Sequence, residues 1–375
     1  RDTHAASALE NDLRIVAGDL PLLHFPDWET LPYDLFSPHP DIVSQRIAAL
    51  YRLPSIKRGI LVVPVASLMQ RVSPPEWIAG NVLDLRKGQK LDLDQEKRRL
   101  EASGYRNVPQ VNDPGDFAVR GALLDLYPMG SDVPYRIELF DDEIDSLRSF
   151  DPETQRSDHP VESVRLLPAR EFPLDAAGTK KARQNLSEQF EFDARRCTIY
   201  QDLKEGVAPN GIEYYLPLFF DQTASLFDHL PKNSLIISGD GVEHSAESFW
   251  QQTSERWEQR RHDIERPILS PAQLFLSPDE LRAQCNQRLR IEICGDQHPQ
   301  YSKAIAIAEQ IAPSLPWTQK NELPGAALQS FLNNYPGRVL LAADSAGRRE
   351  ALLELLNAAG LPFHQVPDWP SFLND

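Results

Sequence analysis

The sequence predicts an α/β protein interrupted by an antiparallel α+β insert. Helical and strand signals alternate through residues 1–81, a meander of alternating hydrophobicity runs from Tyr105 to Phe150, and the α/β alternation resumes after residue 168. At 375 residues the chain exceeds one usual domain, so two or three cores are expected, each able to fold without staples.

Taken in order, Ala5, Leu9 and Leu13 lie on one face of a first helix, inside which the chain opens without a Met, as an excised piece would. A strand over Leu20–Phe25 leads into the loop FPDWETLPYDLFSPHPD, where Pro26, Pro32, Pro38 and Pro40 forbid regular pairing. Asp41 is the expected N-cap of a helix carrying Val43, Ile47, Leu50 and Tyr51. Gly59–Val65 is apolar on both faces, as a buried parallel strand is, with Pro64 confined to its end.

Asp92–Gly104 reads as a short helix, capped by Asp92 with Gln95 in a box and stopped by Gly104. The meander follows, to about residue 168. In Tyr135–Phe140 the strand period puts Tyr135, Ile137 and Leu139 on one face and Arg136, Glu138 and Phe140 on the other. Strand Phe117–Tyr127 contains Gly121, where the apolar phase slips, so a bulge is expected there. Beyond it come a strand at Ser234–Ser238, a polar helix over Val242–Asp263, and strands near 273–276 and 288–294. Gly295–Gln300 reads as a linker. The last unit has a strand at Arg338–Ala343, a helix over Ala346–Ala358 ending at Gly360, then Leu361–Val366. The expected domains are therefore 1–81 with 169–294, the insert 82–168, and a small α/β domain at 301–375.

A net charge of −16 and a pI near 5.1 disfavour binding to a polyanion, which requires Lys and Arg to displace counterions from phosphates. Cys197, Cys285 and Cys294 show no metal-ligand spacing and suit reduced thiols. With no apolar run of about 18 residues and no secretion signal, a cytoplasmic protein without membrane contact is expected. No GxxxxGK[ST] or GxGxxG occurs, and Lys87-Gly88 and Gly178-Thr179-Lys180 do not substitute for one, so no nucleotide hydrolysis is expected. Asp141–Asp145 reads as a charged turn rather than a metal site, and His24 and His39 have no nucleophile at a recognisable spacing. Ser345 reads as an N-cap rather than the start of an anion site, and Trp250 and Trp257 as one packed stripe.

The meander is left as the candidate site. Arg120, Arg136 and Phe140 are all expected to face outward, and Arg and aromatic residues dominate interface energetics. Two readings stand at this point. The three form a docking surface, or Phe140 covers the edge of its own sheet while the arginines pair with Asp142 or Glu138 on the surface.

Several long motifs then carry a resemblance: PDWETLPYDLFSPHPDIVSQRIAALYRL, VPVASLMQRV, GYRNVPQVNDPGDFAVRGALLDLYPMGS, YRIELFDDEIDSLRSFDPETQRS and LLPAREFP. Together they resemble the N-terminal part of the bacterial transcription-repair coupling factors, the Mfd family, and the meander is similar to the matching domain of UvrB. The resemblance implies a degenerate helicase-type domain, P-loop-like without a phosphate loop, that carries an inserted UvrA-binding domain and is followed by a small α/β domain. It implies that Arg120 in VRGALLD, Arg136 in PYRIELF and Phe140 contact UvrA, and that a C-terminal regulatory domain covers the same surface in the whole protein. RNA polymerase, DNA and ATP would be engaged by other parts of such a protein, leaving this stretch neither an enzyme nor a cofactor binder. The alternative is a nucleotide- and DNA-binding helicase-like domain of a UvrB-type repair protein. That reading needs a phosphate loop and a basic groove, whereas residues 82–168 hold 12 Lys plus Arg against 18 Asp plus Glu. The stretch Trp28–Ile47 is also short and poor in aromatics for the DNA-gripping hairpin of UvrB.

Overall fold

Two-stranded sheets, some parallel and some antiparallel, and one six-stranded sheet organise the computed structural model, which describes residues 1–190, 194–295, 305, 313–317, 323–343 and 345–374. The architecture is mixed α/β. Two compact units are present, Arg1–Leu13 with Asp19–Asp296 and Arg14–Gly18 with Gln297–Asp375.

Helix α1 (Thr3–Val16) precedes strand β1 (Leu22–His24) of the first unit, which pairs in parallel with β2 (Ile60–Val62). Between them lies helix α2 (Pro40–Arg52). Its cap is His39, not Asp41: the His39 ring accepts from the Asp41 amide, because Pro40 occupies the first helical position and shifts the start by two residues. The strand expected over Gly59–Val65 is only three residues long, since Pro64 turns the chain into helix Val65–Met69. β3 (Arg71–Val72) later pairs with β12 (Ala224–Ser225).

The insert begins with β4 (Leu83–Arg86), which pairs with β11 (Ser163–Leu166) and so closes the insert on itself. Asp92 caps helix Leu93–Ala102 through the amides of Asp94 and Gln95, and Gly104 leaves it at φ +89°. The large sheet contains β5 (Arg106–Asn107), β6 (Asp116–Arg120), β7 (Leu123–Leu126), β8 (Tyr135–Phe140), β9 (Glu143–Phe150) and β10 (Ser157–Pro160) in spatial order, antiparallel except between β5 and β6. Gly121 is not a bulge. Arg120 pairs with Leu123, so Gly121 and Ala122 form a two-residue hairpin loop, and φ of +62° at Gly121 suits the first loop position. A phase slip accompanies either device, and here the turn causes it. Register shifts of this sheet lie instead between β9 and β10 and between β8 and β9, where Glu138 faces Ser146 but Leu139 faces Ile144. The latter shift lets both Ile144 and Leu147 point into the core beside Phe117, Leu124, Leu126 and Ile137.

Helix α2 belongs to two cores at once. Ile47 packs into the insert, while Ala49 and Leu50 pack with Phe25, Val72 and Ile78. The Gly130 amide donates to Ser44 Oγ at 2.7 Å, and a Cβ on Gly130 would meet Ala48 and Leu167 at 3.0 Å. The insert is thus fused to α2 by close packing.

Strand β13 (Leu235–Gly239), helix Val242–Arg260 and strand β14 (Leu289–Ile293) follow the expected order, β13 and β14 being parallel. Trp250 and Trp257 pack against a buried cluster that includes Tyr215 and Phe275. The strand expected near 273–276 is absent: Pro271–Leu274 is a helical turn, because Ser270 and Gln273 form a capping box around Pro271. In the second unit, Ala326–Asn334 and Ala346–Ala358 are helices, and Ser345 caps the latter through the Arg348 amide. Leu328, Leu356 and Leu361 form a small core. Residues 338–343 and 361–366 are not strands, since neither run has a ladder partner among the described residues. Of the expected linker, 296–300 lies outside the described residues.

Candidate partner-docking face

The outward face of the large sheet is set by register. Ala118 faces Asp125, Asp125 faces Arg136, and Arg136 faces Arg148 in one row across β6 to β9. The next row holds Arg120, Leu123, Glu138 and Ser146, and Phe140 stands at the end of β8 opposite Glu143. Arg136 and Phe140 are four residues apart along the strand, roughly 13 Å at the usual rise.

Asp125 organises this face. Its carboxylate is fully buried and accepts from Arg136 Nε at 2.7 Å and Arg136 Nη2 at 3.0 Å, while Arg120 Nη2 also donates to it. The fork of Arg136 matches the two carboxylate oxygens, the strongest geometry open to such a pair. Its remaining Nη1 donates to the Gln155 carbonyl and Ser157 Oγ, both at 3.3 Å, and its guanidinium lies 5.1 Å from the centre of the Phe150 ring. The hydrogen bond to Asp125 raises the Arg136 pKa above its ordinary value. A secondary apolar cluster of Val111, Ala118 and Phe150 excludes water from this side of the sheet, which explains how an outward-facing Asp is buried.

The three expected residues are therefore placed differently. Phe140 is 79% exposed and rests at the rim of the hairpin β8–β9. The Arg120 side chain is 51% exposed, so most of its N–H groups remain available beside the one held by Asp125. The Arg136 side chain is only 16% exposed and is committed to its own domain. The expected surface pairings do not form: Asp142 accepts from Lys90 at 2.7 Å, Glu138 accepts from Ser146 at 2.9 Å, and Phe140 does not cover its sheet. Asp125 was missed by the sequence reading, although an Asp across from one Arg and five residues after another in a hairpin is a signal for such a clamp.

The other candidates carry no visible chemistry. Asp141 and Asp142 form the β8–β9 hairpin loop, with Asp141 at φ +59°. His24 pairs with Glu10 at 3.1 Å. Among the described residues no group of three or more His, Cys, Asp or Glu side chains could hold a metal ion, and no helix is long and apolar enough to cross a membrane.

Residues 83–172 match the family model of the UvrB interaction domain, and residues 331–375 that of the D3 domain of MFD. The transcription-repair-coupling factor of Haemophilus influenzae is 42% identical over 353 residues, 94% of this chain and 31% of that protein. That of Escherichia coli is 44% identical over 339 residues, 90% of this chain and 30% of that protein, and that of Myxococcus xanthus 33% identical over 307 residues, 77% and 25%. The chain thus spans about 30% of the length of these two relatives from Haemophilus influenzae and Escherichia coli. Taken together, the matches to the UvrB interaction domain and the D3 domain and the identities to these relatives show that the chain belongs to the family of transcription-repair-coupling factors.

Proposed function

We propose that this chain is a UvrA-recruiting module, which links release of stalled RNA polymerase to nucleotide excision repair in the whole protein. The observation that carries the reading is the exposed Phe140 beside a half-exposed Arg120 inside the segment that matches the UvrB interaction domain. Phe140 supplies a desolvated anchor, and Arg120 a planar donor for an acidic group on UvrA. Arg136, the third contact implied by resemblance, acts from beneath by fixing Asp125. The α/β body formed by 1–81 and 169–294 serves as a degenerate helicase-type scaffold that holds the insert 82–168, with 301–375 as a separate small domain. ATP, DNA and RNA polymerase are handled by other parts of the whole cytoplasmic protein, and this chain hydrolyses nothing.

Calorimetric titration with UvrA tests the reading. Phe140→Ala removes an anchor that typically contributes about 2 kcal/mol or more, roughly thirtyfold in affinity. Binding of that variant at wild-type strength would overturn the assignment. The face is also proposed to be masked by the C-terminal regulatory domain, so this chain should bind UvrA more tightly than the whole protein; equal affinities would remove the masking idea.

A further inference from the structure

The outward face of the large sheet carries one more guanidinium than the resemblance implies. Arg148 lies on β9, directly opposite Arg136 on β8 and Pro160 on β10, in the row that runs through Ala118 and Asp125. It is exposed, and among the described residues its guanidinium has neither an ion pair nor a hydrogen bond. Like charges directly opposite one another on a sheet repel. Arg136 is neutralised by turning its fork onto Asp125, and its Nη1 onto the Gln155 carbonyl and Ser157 Oγ. The charge of Arg148 is left uncompensated beside it.

An insert with 18 acids against 12 bases should pair its arginines readily, so the isolation of Arg148 has a structural cause. The carboxylates nearest to it in register are already engaged. Asp125 is buried and enclosed by Arg136 and Arg120, and Glu138, diagonal to Arg148 across β8 and β9, accepts from Ser146 Oγ at 2.9 Å. At the hairpin loop, Asp142 accepts from Lys90 at 2.7 Å. The sheet thus leaves Arg148 without a carboxylate of its own, on the face that also presents Arg120 and Phe140.

We propose that Arg148 is a docking residue of this face and that it, rather than Arg136, supplies the second guanidinium to UvrA; this rests on the recruitment reading above. A guanidinium has five N–H donors and no acceptor, so its match on the partner is a carboxylate held by a planar fork. Register narrows the partner further. Arg120 on β6 and Arg148 on β9 are three strands across and two residues along, roughly 15 Å apart at the usual spacings. Phe140, at the end of β8, lies to one side of the line that joins them. The matching surface of UvrA therefore carries two acidic groups at about that separation, with an apolar pocket beside their line.

Calorimetric titration of the chain with UvrA, run in parallel on the parent, Arg148→Ala and Phe140→Ala, tests this. Arg148→Ala should weaken binding about tenfold or more, the usual loss for a charge-assisted contact, and should flatten the dependence of affinity on salt. Its urea midpoint should stay level or rise slightly, since repulsion with Arg136 is relieved. Parent affinity in Arg148→Ala, with Phe140→Ala weakened, would overturn the role of Arg148 and leave the recruitment reading standing. Parent affinity in both variants would overturn both. A weakened Arg148→Ala whose urea midpoint falls in step would also overturn the proposal, because the loss would then come from folding.

Discussion

Asp125→Asn isolates the clamp beneath the proposed docking face. The side chain keeps its shape but loses its charge and one acceptor oxygen. Arg136 donates twice to this carboxylate and is mostly covered, whereas Arg120 donates once and is half in water. Charge-assisted hydrogen bonds contribute about 1.5–3 kcal/mol, and disrupting a buried pair about 3–5 kcal/mol. The Arg120 share is discounted because solvent replaces it. The remaining bond that Asn Oδ1 can accept also offsets part of the loss, leaving a net cost of about 2–3 kcal/mol. With a urea m-value of about 1–3 kcal/mol/M, the unfolding midpoint should fall by roughly 1 M. A double-mutant cycle should give a large coupling between Asp125 and Arg136 and less than about 1 kcal/mol between Asp125 and Arg120. An unchanged midpoint, or the opposite ranking of the two couplings, would refute the view that Arg136 builds the face and Arg120 presents it.

Phe140→Ala should leave the unfolding free energy in urea unchanged within about 0.5 kcal/mol, because the ring is exposed, while weakening UvrA capture. Gly121→Ala, at φ +62° with open space around the new Cβ, should cost about 1–2 kcal/mol through backbone strain alone, read as a Tm shift. Arg46→Met should cost about 3–5 kcal/mol by stranding buried Glu171, and the double change with Glu171→Leu should recover much of it, as chemical denaturation will show. Burial raises the pKa of Glu96, so its favourable term is present below the ordinary Glu value and lost as pH rises through the folded value. Glu96→Gln should therefore be more stable than the parent at pH 7, with the advantage gone below about pH 4 in parallel melts.

The meander was legible because one face of its sheet is buried, so the period of two in Tyr135–Phe140 had only one acceptable orientation. Phe140 among charges was visible for the same reason. The burial of Asp125 was not, since it arises from Val111, Phe150 and the chain near Gln155, which come together only when β6 to β10 assemble. Local chemistry with two solutions was also misread. A phase slip at Gly121 fits a bulge or a hairpin, and only the pairing partner distinguishes them. The apolar run at 273–276 suits a strand until Pro271 and Gln273 are recognised as the start of a helical turn. Arg338–Ala343 has strand composition, but a strand requires a ladder partner, which composition cannot specify.

The same physics explains why an acidic insert presents arginines at all. A half-exposed guanidinium on this surface would bend toward any neighbouring carboxylate, and the insert has more acids than bases to offer. Asp125 removes that freedom by holding one N–H of Arg120 in a site closed to water, while Arg136 neutralises what would otherwise be an uncompensated buried charge. Part of the ordering entropy of the Arg120 side chain is thus lost on folding instead of on binding. Phe140 needs no such device, because its place on the hairpin strand sets the face from which the side chain leaves the sheet. The insert core shares Ile47 with helix α2, and Arg170 and Glu171 fasten its return, so the face has a set direction relative to the body. A partner that meets Phe140 and Arg120 therefore meets a preformed surface. Its association should respond to Asp125→Asn mainly through a faster off-rate, since the net charge field that steers encounter changes by only one unit. A slower on-rate with an unchanged off-rate would contradict preformation.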